Sequence, residues 1–217
     1  MDAIRRARWA GMAALLGALV SMVADTLLLY NPEGGYFAGD YAFLADFSRE
    51  RLLWGHYLGI LALPLHAAGI YLIYLILQPA GRKIALGAAV LGIYLVFPGV
   101  AYHANVYPLA LAGRFGPGAV AEMVPFSEPL GLLFAGSFLL LMAGLTVLIF
   151  RGKTLLPRWV GFLTPALTYP VWALLIAVAP PLGHLLAPMG FNLSMAIFFA
   201  VLLGTGSFRE ALAPPPK

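Results

Sequence analysis

Four histidines, His56, His66, His103 and His184, and two acids, Asp25 and Glu128, stand in or beside long apolar runs of this 217-residue chain. Ionisable side chains at membrane depth are costly, so they face a protein interior or a wet cavity and mark functional sites by default. Two imidazoles with one or two carboxylates suit zinc or non-haem iron. An open coordination position then lets bound water act as a nucleophile near neutral pH. On this reading His56 and His103 are metal ligands, Asp25 is a ligand or orients one, and Glu128 is the general base. The opposing reading pairs Asp25 with one histidine in a satisfied interhelical network, which leaves the same mark on a sequence. No motif with fixed ligand spacing decides between them.

His66 stands ten positions after His56. At about 1.5 Å per helical residue that is about 15 Å deeper, too far for both to hold one ion. Pro64 beside it frees a backbone carbonyl, which a protonated histidine or a water can satisfy. His66 is expected either as a neutral histidine hydrogen-bonded between helices or as the inner step of a proton path. Haem held between His56 and His103 is a weaker option, because both lie near the membrane boundary and no second pair exists.

The elements that must position these residues are membrane helices. With 62% hydrophobic and 10% charged residues and a mean hydropathy of +0.90, the chain has too little polar surface to cover a soluble globule. Each span needs about 20 apolar residues to cross roughly 30 Å of hydrocarbon. Six runs qualify, at about 9–30, 52–77, 84–107, 128–150, 160–186 and 191–208, followed by a short tail at 209–217 whose EALAPPPK end is expected to be disordered. The expected class is therefore an all-α polytopic membrane protein, one bundle of six transmembrane helices. The basic RRAR at 5–8 precedes an apolar run longer than a usual signal-peptide core, so a retained first helix is expected. There is no cysteine, and hence no disulfide framework or thiolate metal site.

Arg and Lys set the orientation, because cytoplasmic loops retain them. With the N-terminus inside, ten of the thirteen basic residues fall inside and only Arg49, Arg51 and Arg114 outside. Both termini are then cytoplasmic, in a bacterial inner membrane. Basic clusters between apolar runs orient a membrane protein, and nucleic acid is rejected as a partner. All three lysines, Lys83, Lys153 and Lys217, lie inside by this topology, which excludes a Schiff base within the bundle.

Topology places Asp25, His56, His103, Glu128, His184 and Asn192 near the outer ends of their helices, with Tyr30, Tyr57, Tyr102, Asn105 and Tyr107 around them. A cavity open to the extracytoplasmic face is expected. The loop NPEGGYFAGDYAFLADFSRER after Tyr30 carries Tyr36, Phe37, Tyr41, Phe43 and Phe47 and either covers that cavity or seals the lipid boundary. Gly55 and Gly59 form a GxxxG pattern around His56, expected to bring the second helix tight against a neighbour with His56 at the contact. Pro98 is expected to kink the third helix, and Pro165, Pro170, Pro180 and Pro181 interrupt the fifth.

ADTLLLY at 24–30, GHYLG at 55–59, LPRW at 156–159 and FNLSMAIFF at 191–199 together resemble a group of uncharacterised bacterial multi-pass proteins. That resemblance implies the topology and carries no activity. Intramembrane metal hydrolysis by histidines and an aspartate is similar to the chemistry of the alkaline ceramidase and adiponectin-receptor superfamily. This chain departs from that pattern in having six expected spans rather than seven and no late HxxxH pair, so only the chemical analogy applies. The expected function is a metal-dependent hydrolase acting on membrane lipids. A small-molecule or proton-coupled transporter or sensor with an amphiphilic ligand, or a non-catalytic subunit of a larger complex, stands beside it.

Overall fold

A computed structural model describes residues 3–35 and 41–212, and these fold into seven α-helices with 3-10 segments between some of them and no strand among them. The helices are α1 (Ala3–Leu29), α2 (Arg49–Ile76), α3 (Arg82–Gly113), α4 (Pro117–Phe150), α5 (Pro165–Val178), α6 (Pro180–Leu186) and α7 (Gly190–Thr205). The expected Tyr36, Phe37 and Asp40 of the first loop, and Lys217, lie outside the described residues.

Four helices, α1 to α4, are long and apolar enough to cross a membrane, and α6 with α7 makes a fifth if that pair, bent by 72°, counts as one span. This is a helical membrane protein. The expected run at 160–186 is not one helix: Arg158–Leu163 forms a 3-10 segment, Pro165 opens α5, and Ala179 at φ −148°, ψ 70° separates α5 from α6. The reason is local. Proline excludes the helical conformation from the residue before it and lacks the N–H that continues the ladder, so the pair Pro180 and Pro181 ends one helix and starts another. At 14 residues α5 is about 21 Å long, short of the hydrocarbon thickness.

Other boundaries move outward. Helix α4 starts at Pro117 rather than at Glu128, because proline is tolerated in a first helical turn and Pro125 and Pro129 are accommodated within the helix. Helix α3 runs to Gly113. Ser207–Leu212 forms a 3-10 turn whose Phe208 is fully buried; of the expected tail, Glu210 to Leu212 fall in this turn and 213–217 lie outside the described residues.

Small residues set the packing. On α1, Ala7, Gly11, Ala14, Gly17, Ala18, Ser21, Ala24 and Asp25 are buried at helical spacing, a stripe that lets α1 lie close along α2, its most extensive neighbour. A Cβ on Gly17 would stand 2.7 Å from Leu65 Cβ and 2.9 Å from the Ala62 carbonyl, and one on Gly55 would stand 2.6 Å from Leu28. Helix α3 packs on α2 and α4, and α7 on α1. Two apolar cores result. One is centred on Ile73, Ile76, Phe198, Phe199 and Phe208, the other on Leu28, Leu44, Leu52, Val106 and Leu109.

Candidate functional site

Asp25, His103 and Asn192 come from three different helices, and each sits where its helix turns a buried stripe inward. On α3 the buried positions Gly92, Leu95, Gly99, His103, Val106 and Ala110 recur every three or four residues, and on α7 Asn192 begins the series Asn192, Ala196, Phe199 and Leu202. Asp25 closes the small-residue stripe of α1. The three side chains are all at least nine-tenths buried. His103 Nε2 lies 3.3 Å from Asp25 Oδ1, and Asn192 Nδ2 donates to Asp25 Oδ2 at 2.7 Å. Burying a carboxylate is tolerable only with such partners.

The other edge of the His103 ring is held by a glycine. A Cβ on Gly59 would collide with His103 Nδ1 and come within 2.8 Å of Cε1 and Cγ. The Gly55–Gly59 pair therefore does bring α2 tight against its neighbours, but it serves Leu28 of α1 and His103 of α3 rather than His56.

These residues form the inner end of a cavity of about 510 Å³. Its floor includes Asp25, His103 and Asn192, and its polar rim Glu128, Tyr41 and Tyr102. The remaining wall is Phe134, Phe138 and Leu139 of α4, Pro165, Tyr169 and Pro170 of α5, and Phe191 of α7. The volume falls in the range of small-molecule sites, which are mostly apolar with a few convergent polar groups. The cavity exists because α5 is short and proline-broken and packs only sparsely on α4. On α4 the buried stripe is interrupted between Ser127 and Phe138, and Gly131, Phe134 and Ala135 face the space instead. Leu132, 71% exposed, and the exposed Leu139 and Pro170 also line it, so it opens sideways between α4 and α5.

Several expected site residues lie elsewhere. His56, rotated about 100° from the buried Gly55, stands against Tyr57 and Tyr107 with ring centroids 5.0 and 5.8 Å apart, and it does not line the cavity. His184 Nδ1 is 2.9 Å from the Pro32 carbonyl, tying α6 to the start of the first loop. The Tyr30 carbonyl accepts from Arg51, and Asn105 donates to the Ala101 carbonyl of its own helix. His66 is buried beside Gly17 and Phe199, its Nε2 without a hydrogen-bond partner, and it lines a separate space of about 20 Å³ that also touches Asn192.

The donor set named for zinc or iron is dispersed. Asp25 and His103 touch, His56 is outside the cavity, and among the described residues no group of three or more His, Cys, Asp or Glu can hold a metal ion. Haem between His56 and His103 does not fit either, because the two ring nitrogens of His103 face Asp25 and Gly59.

Tyr41, expected among the aromatics of the first loop, borders the cavity, whereas Tyr169 and Phe191 are site residues that sequence reasoning missed. Tyr169 stacks on Phe191 with centroids 4.0 Å apart, and the hydroxyls of Tyr41 and Tyr102 are 3.3 Å apart. An aromatic in a proline-broken apolar helix carries no sequence signal of its own. The broken helix was the available hint, since it leaves a neighbour unpacked.

The fold and cavity define a helical-bundle membrane protein with a mostly apolar pocket that ends on buried polar side chains. The chain belongs to a family of unknown function, DUF6796, whose model matches residues 1–205. No curated protein and no solved structure matches it.

Proposed function

We propose that the protein takes an amphiphilic small molecule sideways from the bilayer into the cavity between α4 and α5 and holds its polar end against Asp25, His103 and Asn192, as a transporter or sensor does. The observation that carries this reading is the asymmetry of the cavity: apolar and laterally open on one side, and ending on a buried carboxylate with two partners on the other. The distribution of Arg and Lys supports a bacterial inner membrane with both termini inside and the polar end towards the extracytoplasmic face.

A metal-dependent hydrolase of membrane lipids draws less support. Its ligand trio is not gathered, and Asp25 and His103 already occupy each other. Glu128, exposed at the rim, is the lining carboxylate left to act on water.

The test fills the cavity. Ala135→Trp places a large side chain in the wall that faces α5. Purified wild-type protein is expected to gain thermal stability with increasing concentration of a single-chain amphiphile, as any ligand of the folded state confers, and Ala135→Trp is expected to abolish that gain while keeping its own cooperative unfolding. Equal stabilisation of both proteins would contradict the reading.

A further inference from the structure

We infer that the headgroup this cavity selects is cationic, a primary amine or quaternary ammonium carried on an apolar chain. The inference rests on the amphiphile-binding reading above and narrows it to a ligand class.

Charge comes first. Among the described residues, two carboxylates, Asp25 of α1 and Glu128 of α4, line the cavity, and no lysine or arginine does. Two guanidiniums, Arg51 and Arg114, are committed to main-chain carbonyls: Arg51 donates to those of Leu27 and Tyr30, and Arg114 to that of Phe47. His103 is the one lining side chain that can carry positive charge, and its Nε2 is turned to Asp25. Glu128 makes no hydrogen bond or ion pair among the described residues. An anionic headgroup would therefore meet two acids and, among the described lining residues, no lysine or arginine, and a desolvated, unpaired charge is strongly penalised. A neutral headgroup would gain nothing from Glu128.

The aromatic lining points the same way independently of the acids. Tyr41, Tyr102, Phe134, Tyr169 and Phe191 all border the cavity. Phe191 forms the hub, with Tyr169 stacked on it and Phe134 edge-on at 5.4 Å. Ring faces attract ammonium groups through their quadrupole, more strongly once water is excluded, and aromatic surfaces around a carboxylate are the usual means of recognising amines and quaternary ammonium. The apolar part of the ligand then lies along Leu132, Leu139 and Pro170 towards the lateral opening.

The test compares three probes that differ only in headgroup: dodecyltrimethylammonium, the neutral dodecyl glycerol ether, and dodecanoate. Each is titrated into the purified full-length protein in a non-ionic detergent, with the thermal midpoint as readout. Glu128→Gln removes the rim charge at an exposed position, so the variant folds. Glu122→Gln, an exposed acid of the same helix outside the cavity, controls for general surface charge. The cationic probe is expected to bind best, Glu128→Gln to weaken it by about tenfold or more, and Glu122→Gln to leave it unchanged. Equal or tighter binding of the neutral or anionic probe, or indifference to Glu128→Gln, would overturn the charge assignment and leave the amphiphile site standing. Binding of none of the three would overturn both.

Discussion

Gly59 of α2 occupies the one place where a side chain would strike the imidazole of His103 on α3. The ring is wedged between that glycine and Asp25, so the geometry of the polar layer depends on an atom that is absent. Gly59→Ala is expected to lower stability by about 1–3 kcal/mol, the usual cost of overpacking a close contact. Thermal unfolding in detergent checks it. Gly136→Ala, where an added Cβ meets nothing within 4 Å, serves as the control and is expected to be neutral.

Asn192 and Asp25 are coupled through a 2.7 Å hydrogen bond in a buried setting. Asn192→Leu alone leaves Oδ2 unsatisfied and is expected to cost about 2 kcal/mol. In an Asp25→Asn background the same change is expected to cost clearly less, giving a coupling energy of about 1 kcal/mol or more in a double-mutant cycle. Additive costs would show that the two side chains act separately.

Arg51 holds the C-terminal end of α1. Its Nε donates to the Leu27 carbonyl at 2.7 Å and Nη2 to those of Tyr30 at 2.6 Å and Thr26 at 3.4 Å, while the guanidinium lies 3.4 Å from the Phe47 ring centroid. The last carbonyls of a helix have no partner within it, and a cation there also meets the negative end of the helix dipole. Arg51→Met, which keeps the apolar stem, is expected to cost about 2 kcal/mol. Arg51→Lys is expected to recover little of it, because one ammonium cannot span carbonyls on several sides as the planar fork does. Denaturation midpoints of the three proteins decide this.

His66 presents the opposite case, a buried ring whose Nε2 has no hydrogen-bond partner. Removing a buried nitrogen that lacks a partner relieves its desolvation cost, which offsets what the rest of the ring contributes. His66→Leu is therefore expected to keep the wild-type thermal midpoint within about 1 kcal/mol of stability. A large loss would mean that the imidazole is a structural bridge between α1 and α2.

The sequence made the membrane class and the inward placement of Asp25 and His103 legible, through apolar run length and through acids and histidines that hydrocarbon does not tolerate. It did not show which histidine joins Asp25. His56 and His103 look alike in composition, and they are separated only by helical phase: His103 falls on the buried series through Gly99 and Val106, whereas His56 lies one residue off the series through Gly55 and Gly59. The expected fifth run, 160–186, is broken for a different reason. Hydropathy over 160–186 is uniform, and only the two adjacent prolines at 180 and 181 record that the chain must turn there. The cavity followed from that break, which no local pattern reports.

The most direct test of the binding site is photolabelling of membrane-embedded protein with a single-chain amphiphile carrying a diazirine on its tail. Peptides are mapped by mass spectrometry with and without excess unlabelled competitor. Saturable, competed labels on Gly131 to Leu139 of α4 and Ala166 to Pro170 of α5 are the expected result. Labels that do not saturate and fall equally on the outward-facing Leu16, Leu61 and Phe97 would contradict a binding cavity between α4 and α5.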